Sequence, residues 1–96
     1  MFALIAQMKI DPINAETLEA ACAEVASAVR EREPETLVYH FAKSRVDPGE
    51  YWAIEVYASE EAFQAHLASE HFKAFRPKMA AVLLTPPVAH RLDVAI

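Results

Sequence analysis

The sequence predicts an α+β domain of the ferredoxin-like βαββαβ class, built on a four-stranded antiparallel sheet. Three observations point there. The segments follow one another as strand, helix, strand, strand, helix, strand. The two middle strands are joined by the strongest turn signal of the chain, Val46-Asp47-Pro48-Gly49-Glu50, which holds the only glycine. And 54% of the 96 residues are apolar. A chain of this length makes one domain, residues 1–96, and buries about two-thirds of the surface its unfolded form exposes. The apolar content exceeds what one small core needs. A second copy on the open sheet face would absorb it, because obligate homodimer interfaces resemble a core cut in half.

Each element has its own signal. Phe2 to Ile10 reads as a strand: Phe2, Leu4, Ala6, Met8 and Ile10 share an apolar face, and Asp11-Pro12 stops it. Asn14 reads as an N-cap with Glu16 in the first turn. Leu18, Cys22, Val25 and Val29 then form one helical stripe, and Pro34 ends the helix near Glu33. Thr36 to Lys43 is the second strand, with Leu37, Tyr39 and Phe41 on one face. Tyr51 to Ala58 is the third, where Trp52, Ile54 and Val56 oppose Ala53, Glu55 and Tyr57. Ser59-Glu60-Glu61 starts a helix that carries Phe63, His66 and Leu67 on one face. Ser69-Glu70 reads as a second cap, so that helix breaks and restarts, and Pro77 ends or kinks the second piece. Pro86-Pro87 is a loop, and Val88 to Ile96 is the last strand.

Composition excludes several classes. The net charge is -5, and the nine Lys and Arg are spread along the chain, so a nucleic-acid or anionic-membrane surface is not expected. The single cysteine, Cys22, allows no intrachain disulfide, which fits a cytoplasmic location. The opening apolar run lacks the basic segment of a signal peptide, and no run is long enough to span a membrane. One glycine rules out a phosphate-cradling loop. On a continuous helix His66 and His71, five residues apart, would point in different directions, unlike the i, i+4 pair of a zinc helix. His40 and His90 have no carboxylate or cysteine companions nearby in sequence, so no metal site is expected unless tertiary contacts build one.

The run Glu55-Val56-Tyr57-Ala58-Ser59-Glu60-Glu61-Ala62-Phe63-Gln64-Ala65-His66-Leu67-Ala68-Ser69-Glu70-His71-Phe72 is more specific. It resembles the antibiotic biosynthesis monooxygenase family, whose pattern is E-x-Y, a helix start, A-F-x-x-H and S-x-H-F. Upstream, Arg32-Glu33-Pro34-Glu35-Thr36-Leu37-Val38-Tyr39 is similar to that family's E-P-G-x-L-x-Y element, with Glu35 in place of the glycine. The resemblance implies two subunits whose sheets pack into a dimeric α/β barrel. It also implies oxygenation of a quinol or polycyclic phenol by dioxygen, with no flavin, haem or metal cofactor. A haem-degrading branch shares the fold. It carries a ligand histidine where Arg76 stands here, a tryptophan at the His66 position and an asparagine at Gln7, so the likeness is to the other branch.

Within that frame Glu55 and His66 are the catalytic candidates. If the strand face that holds Glu55 and Tyr57 lies under the helices, the buried carboxylate needs a partner or becomes neutral. A contact with His66 would serve both groups. It would either tie helix to sheet or prepare His66 to take a proton from a phenol. Tyr39, Tyr57, Phe63, His71 and Phe72 are the substrate-binding candidates, although each aromatic also suits a plain core. Trp52, on the other strand face, reads as an anchor for the partner subunit. An oxygenase of this kind needs an apolar cavity of roughly 300 Å³ or more. The alternatives are a non-catalytic dimer that binds quinones or other small apolar ligands, and an isomerase or dehydratase of an aromatic acid. The last needs a cation in the pocket, for which Arg45, Arg76 and Arg91 are the candidates.

Overall fold

β1 (Phe2–Lys9) alternates buried and half-buried side chains along its whole length, as a strand with helices over one face must. The computed structural model describes residues 1–96 and contains one four-stranded sheet in the order β2-β3-β1-β4, all neighbours antiparallel. β2 is Thr36–Lys43, β3 is Glu50–Tyr57 and β4 is Val88–Asp93. β1 therefore lies inside the sheet, between β3 and β4. The ferredoxin-like α+β class is the observed one.

One face of the sheet is covered. Phe2, Leu4, Ala6 and Met8 join Tyr39, Tyr51, Ala53 and Tyr57 in a single core with the helices. α1 (Ala15–Arg32) contributes the expected stripe of Leu18, Cys22, Val25 and Val29, widened by Ala21 and Ala26. The Asn14 side chain makes no capping bond. Asp11 takes that role one turn earlier, accepting from the Ile13 N–H and opening a short 3-10 turn, Pro12–Asn14. α1 ends as Pro34 requires, with the Glu33 N–H closing on the Val29 carbonyl at 2.8 Å.

The second helical stretch divides where the sequence marks it. α2 is Glu60–Leu67 and α3 is Glu70–Val82. Ser59 caps α2 by accepting from the Ala62 N–H, and Ser69 caps α3 by accepting from the Phe72 N–H. Pro77 does not end α3, which continues to Val82. Gly49 meets a different demand. A Cβ there would lie 2.3 Å from the Ile10 carbonyl oxygen, so only glycine lets the β2–β3 turn approach β1.

Two strand expectations need correcting. Leu37 does not share the face of Tyr39 and Phe41. Thr36 pairs with Tyr57 and Val38 with Val56, so Leu37 is the extra residue of a bulge and is exposed. The bulge keeps Thr36 on the helix side together with Tyr39. β4 stops at Asp93 rather than Ile96, and all of its residues are exposed. Ile54, Val88 and Leu92 leave the uncovered sheet face apolar.

Candidate active site

β3 points Glu55 at the helices. In the sheet it lies between Leu4 of β1 and Tyr39 of β2. Glu55 is 8% exposed and receives one hydrogen bond, from the Tyr57 hydroxyl at 2.5 Å. Burial pushes its carboxyl up to about 7, against the opposing effect of that bond. Tyr57 is itself sealed, and burial beside Glu55 raises its phenol well above the usual range.

α2 brings His66 over the same layer, where it is 1% exposed. The expected Glu55–His66 hydrogen bond is absent. His66 Nδ1 instead meets the Glu33 carboxylate, at 2.9 and 3.2 Å to its two oxygens. Glu33 is the residue just beyond α1, and the fold carries it to the far end of α2. Its carboxylate also accepts from Thr36 Oγ1 at 2.7 Å and makes a short contact with His71 Nε2. Burial opposes the charge on Glu33, but the bonds from Thr36, His66 and His71 outweigh it and hold the carboxyl below its ordinary value.

An ionised carboxylate only accepts hydrogen bonds, so the Nδ1 of His66 must donate. Burial pushes the His66 ring below its ordinary pKa, more than Glu33 lifts it, which favours the neutral form. A neutral ring with its proton on Nδ1 has a bare lone pair on Nε2. That atom is buried and has no hydrogen-bond partner.

His66 and Glu55 both line an apolar cavity of about 120 Å³ between the sheet and α2–α3. Tyr39, Phe63 and Phe72 line it too, as do Met79 and Pro87. Pro87 is exposed and marks the mouth. The volume is below the roughly 300 Å³ expected, because Phe72, Phe75 and Met79 fill the space from α3. Two of the candidate residues are not on its wall. Tyr57 stands behind Glu55, and His71 turns to Glu33 and to a groove between α1 and α3. That groove is larger, about 460 Å³, but its lining is mixed with Glu24, Glu31, Arg32 and Lys78. Among the arginines, Arg45, Arg76 and Arg91 are all absent from the cavity wall; Arg76 stacks over Phe72 and Arg91 over Phe63, each at 5.5 Å.

Glu33 is the residue that reading the chain for candidates left out. Its signal was present: an acid at the end of a helix, where the dipole disfavours negative charge, needs a compensating donor. The break at Ala68–Ser69 also changes the geometry of His66 and His71. The Ser69 hydroxyl donates to the His66 carbonyl at 2.6 Å while capping α3, and the turn swings the two rings to 6.2 Å apart. A continuous helix would have kept them apart.

Comparisons with known proteins agree with this fold. The family model described as "Antibiotic biosynthesis monooxygenase" matches residues 1–78. A Caulobacter crescentus CB15 protein provisionally named for the same activity superimposes with a TM-score of 0.94 at 30% identity, covering 99% of this chain and 90% of that one. A Pseudomonas aeruginosa structure aligns with a TM-score of 0.87 at 26% identity, over 99% and 94% of the two chains. One from Mycobacterium tuberculosis gives 0.89 at 25% identity, over 99% and 95%. No curated protein matches. No helix here is long and apolar enough to cross a membrane.

Proposed function

The chain belongs to the antibiotic biosynthesis monooxygenase family, and on that premise we propose that it is a cofactor-independent monooxygenase that oxidises a quinol or similar phenol with dioxygen. One observation carries this reading. His66 is fixed through Nδ1 by Glu33, which leaves Nε2 as a buried polar atom without a partner on a residue that walls an apolar cavity.

His66 Nε2 takes the proton of the phenolic hydroxyl. The phenolate is electron-rich and passes one electron to dioxygen. The two radicals join at a ring carbon as a peroxide. Breaking its O–O bond and losing the ring hydrogen as a proton leaves a quinone carbonyl and one water. Phenol and dioxygen thus become quinone and water with no outside reductant. Glu33 is a positioning residue: it holds the tautomer and stabilises the ring once protonated. Glu55, whose carboxyl is pushed up to about 7, is in part protonated at neutral pH, and in that form can donate a hydrogen bond to the developing carbonyl. Phe63, Phe72 and Tyr39 supply apolar wall for the substrate ring. The cavity suits the reacting ring itself, and further rings of a polycyclic substrate would pass the mouth at Met79 and Pro87. A second copy of the chain on the uncovered sheet face, where Ile54, Val88 and Leu92 are exposed, completes a dimeric barrel.

The test is oxygen uptake with a panel of one- and two-ring phenols and quinols, run under ¹⁸O₂. One labelled atom should enter the quinone and the other should appear in water. Turnover that persists without oxygen would sink the oxygenase reading. Ligand binding with no oxygen uptake across the panel would favour the non-catalytic quinone-binding dimer.

A further inference from the structure

We propose that Glu33, His66 and His71 form a binding site for a divalent transition-metal ion of the zinc or cobalt kind. Their ligand atoms all lie within 4.8 Å of one another. Each belongs to a different helix end: Glu33 just past α1, His66 in the last turn of α2, His71 in the first turn of α3. Ser69 locks the angle between the last two through its bonds to the His66 carbonyl and the Phe72 N–H. The three ligands are therefore held in place before any ion arrives.

The donor set points to one class of ion. Two imidazoles and one carboxylate suit zinc, cobalt and their neighbours, whereas magnesium and calcium favour oxygen ligands alone. Three protein ligands leave a position open for water. Thr36 Oγ1, kept on this side by the Leu37 bulge, orients the Glu33 carboxylate as outer hydrogen bonds do for ligating carboxylates. Entry does not require passing through the apolar cavity. His71 borders the groove between α1 and α3, and Glu33 borders a second groove with Arg32, Pro34 and Thr36. Both side chains keep a little exposure, 10% and 13%.

Occupancy would act on the neighbouring cavity. A neutral imidazole that binds an ion through Nδ1 carries its hydrogen on Nε2. The atom assigned to accept the substrate proton becomes a donor, and the bound ion inhibits. This second step rests on the proposed role of His66; the site itself does not.

The experiment separates the two. Untagged protein is titrated with Co²⁺, followed by visible absorption, and with Zn²⁺, followed by calorimetry, in the absence of substrate. One ion per chain is expected. His71→Ala and Glu33→Gln should each weaken binding by about tenfold or more, while a His40→Ala/His90→Ala double variant binds as the parent does. Zn²⁺ should raise the melting temperature of the parent but not of His71→Ala, since an ion that binds only the folded state stabilises it. No binding, binding that survives both site variants, or binding lost with His40 and His90 overturns the site. In the oxygen-uptake assay, Zn²⁺ should inhibit the parent and leave the residual rate of His71→Ala unaltered. An active parent that binds Zn²⁺ at this site and is not inhibited overturns the inhibitory step and leaves the site standing.

Discussion

Glu33, just past the end of α1, and Glu55, on the sheet beneath the helices, are both largely withdrawn from water, and their surroundings shift their carboxyl pKa values in opposite directions. Burial raises the pKa of each. Glu33 meets three donors, from Thr36, His66 and His71, and stays ionised. Glu55 meets one, the Tyr57 hydroxyl, and its carboxyl rises to about 7. The charge of a buried carboxylate is thus decided by how many donors are aimed at it. One carboxylate becomes a fixed anion that holds a histidine. The other becomes an acid able to give a proton or a hydrogen bond. The division of labour that the proposed chemistry needs follows from that difference.

The largest effect should come from removing what Glu33 holds. His66→Ala should lower kcat by about 10²- to 10⁴-fold, the usual contribution of a positioned base. Glu33→Gln should lower it by about 10- to 100-fold with KM little changed, because His66 is present but wrongly held. Steady-state oxygen uptake measures both, and equal losses in KM would argue that the two residues only shape the pocket.

Placing the same substitution on both carboxylates sharpens the contrast. A carboxyl whose folded pKa lies above its unfolded value costs stability as pH rises between the two. For Glu55, rising from 4.5 to about 7, that cost grows from about pH 4.5 and is complete above pH 7. Glu55→Gln should therefore stabilise the protein at pH 8 by up to about 3 kcal/mol, and the gain should vanish near pH 4.5. Glu33→Gln should do the reverse at pH 8, costing about 2 kcal/mol, because the depressed carboxyl is worth most when ionised. Urea denaturation of the two variants at both pH values settles the signs, and a destabilised Glu55→Gln at pH 8 would contradict the assignment.

Two smaller effects probe the supports. Tyr57→Phe removes the only donor to Glu55, so the carboxyl should titrate at a higher pH, with about 1 kcal/mol lost from the missing bond. Carboxyl ¹³C chemical shifts follow that midpoint directly. Ser69→Ala removes the α3 cap and should cost about 1 kcal/mol by thermal denaturation. It should also loosen His71 from Glu33, visible as a change in the His71 imidazole resonances, while the Glu55 midpoint stays where it was.

Much of the fold was legible because periodicity reports direction. The alternation in Phe2–Lys9, the Leu18-Cys22-Val25-Val29 stripe and the opposed faces of Tyr51–Tyr57 all hold. The serines before α2 and α3 were legible as caps for the same local reason, that a hydroxyl there reaches an unpaired N–H. The Leu37 bulge was not legible, because an unpaired residue in a ladder depends on the neighbouring strand. Nor was the filling of the cavity by Phe72, Phe75 and Met79, since their depth depends on how α3 settles against the sheet.

The βαββαβ order, which residues share a face of each element, and the family pattern that holds Glu55 and His66 can be read from the chain alone. Which strand face lies inward, and which carboxylate His66 meets, follow from the packing of the layers. Strand and helix periods say which side of an element a residue faces, but not what lies beside it. Glu33 reaches His66 across 33 residues because α1 packs on α3 and β2, which brings the residue just past its end beside His66, and because Ser69 turns α3 there to bring in His71. Those positions come from side-chain packing between layers, which no local spacing encodes. The charge states of Glu33 and Glu55 follow from them.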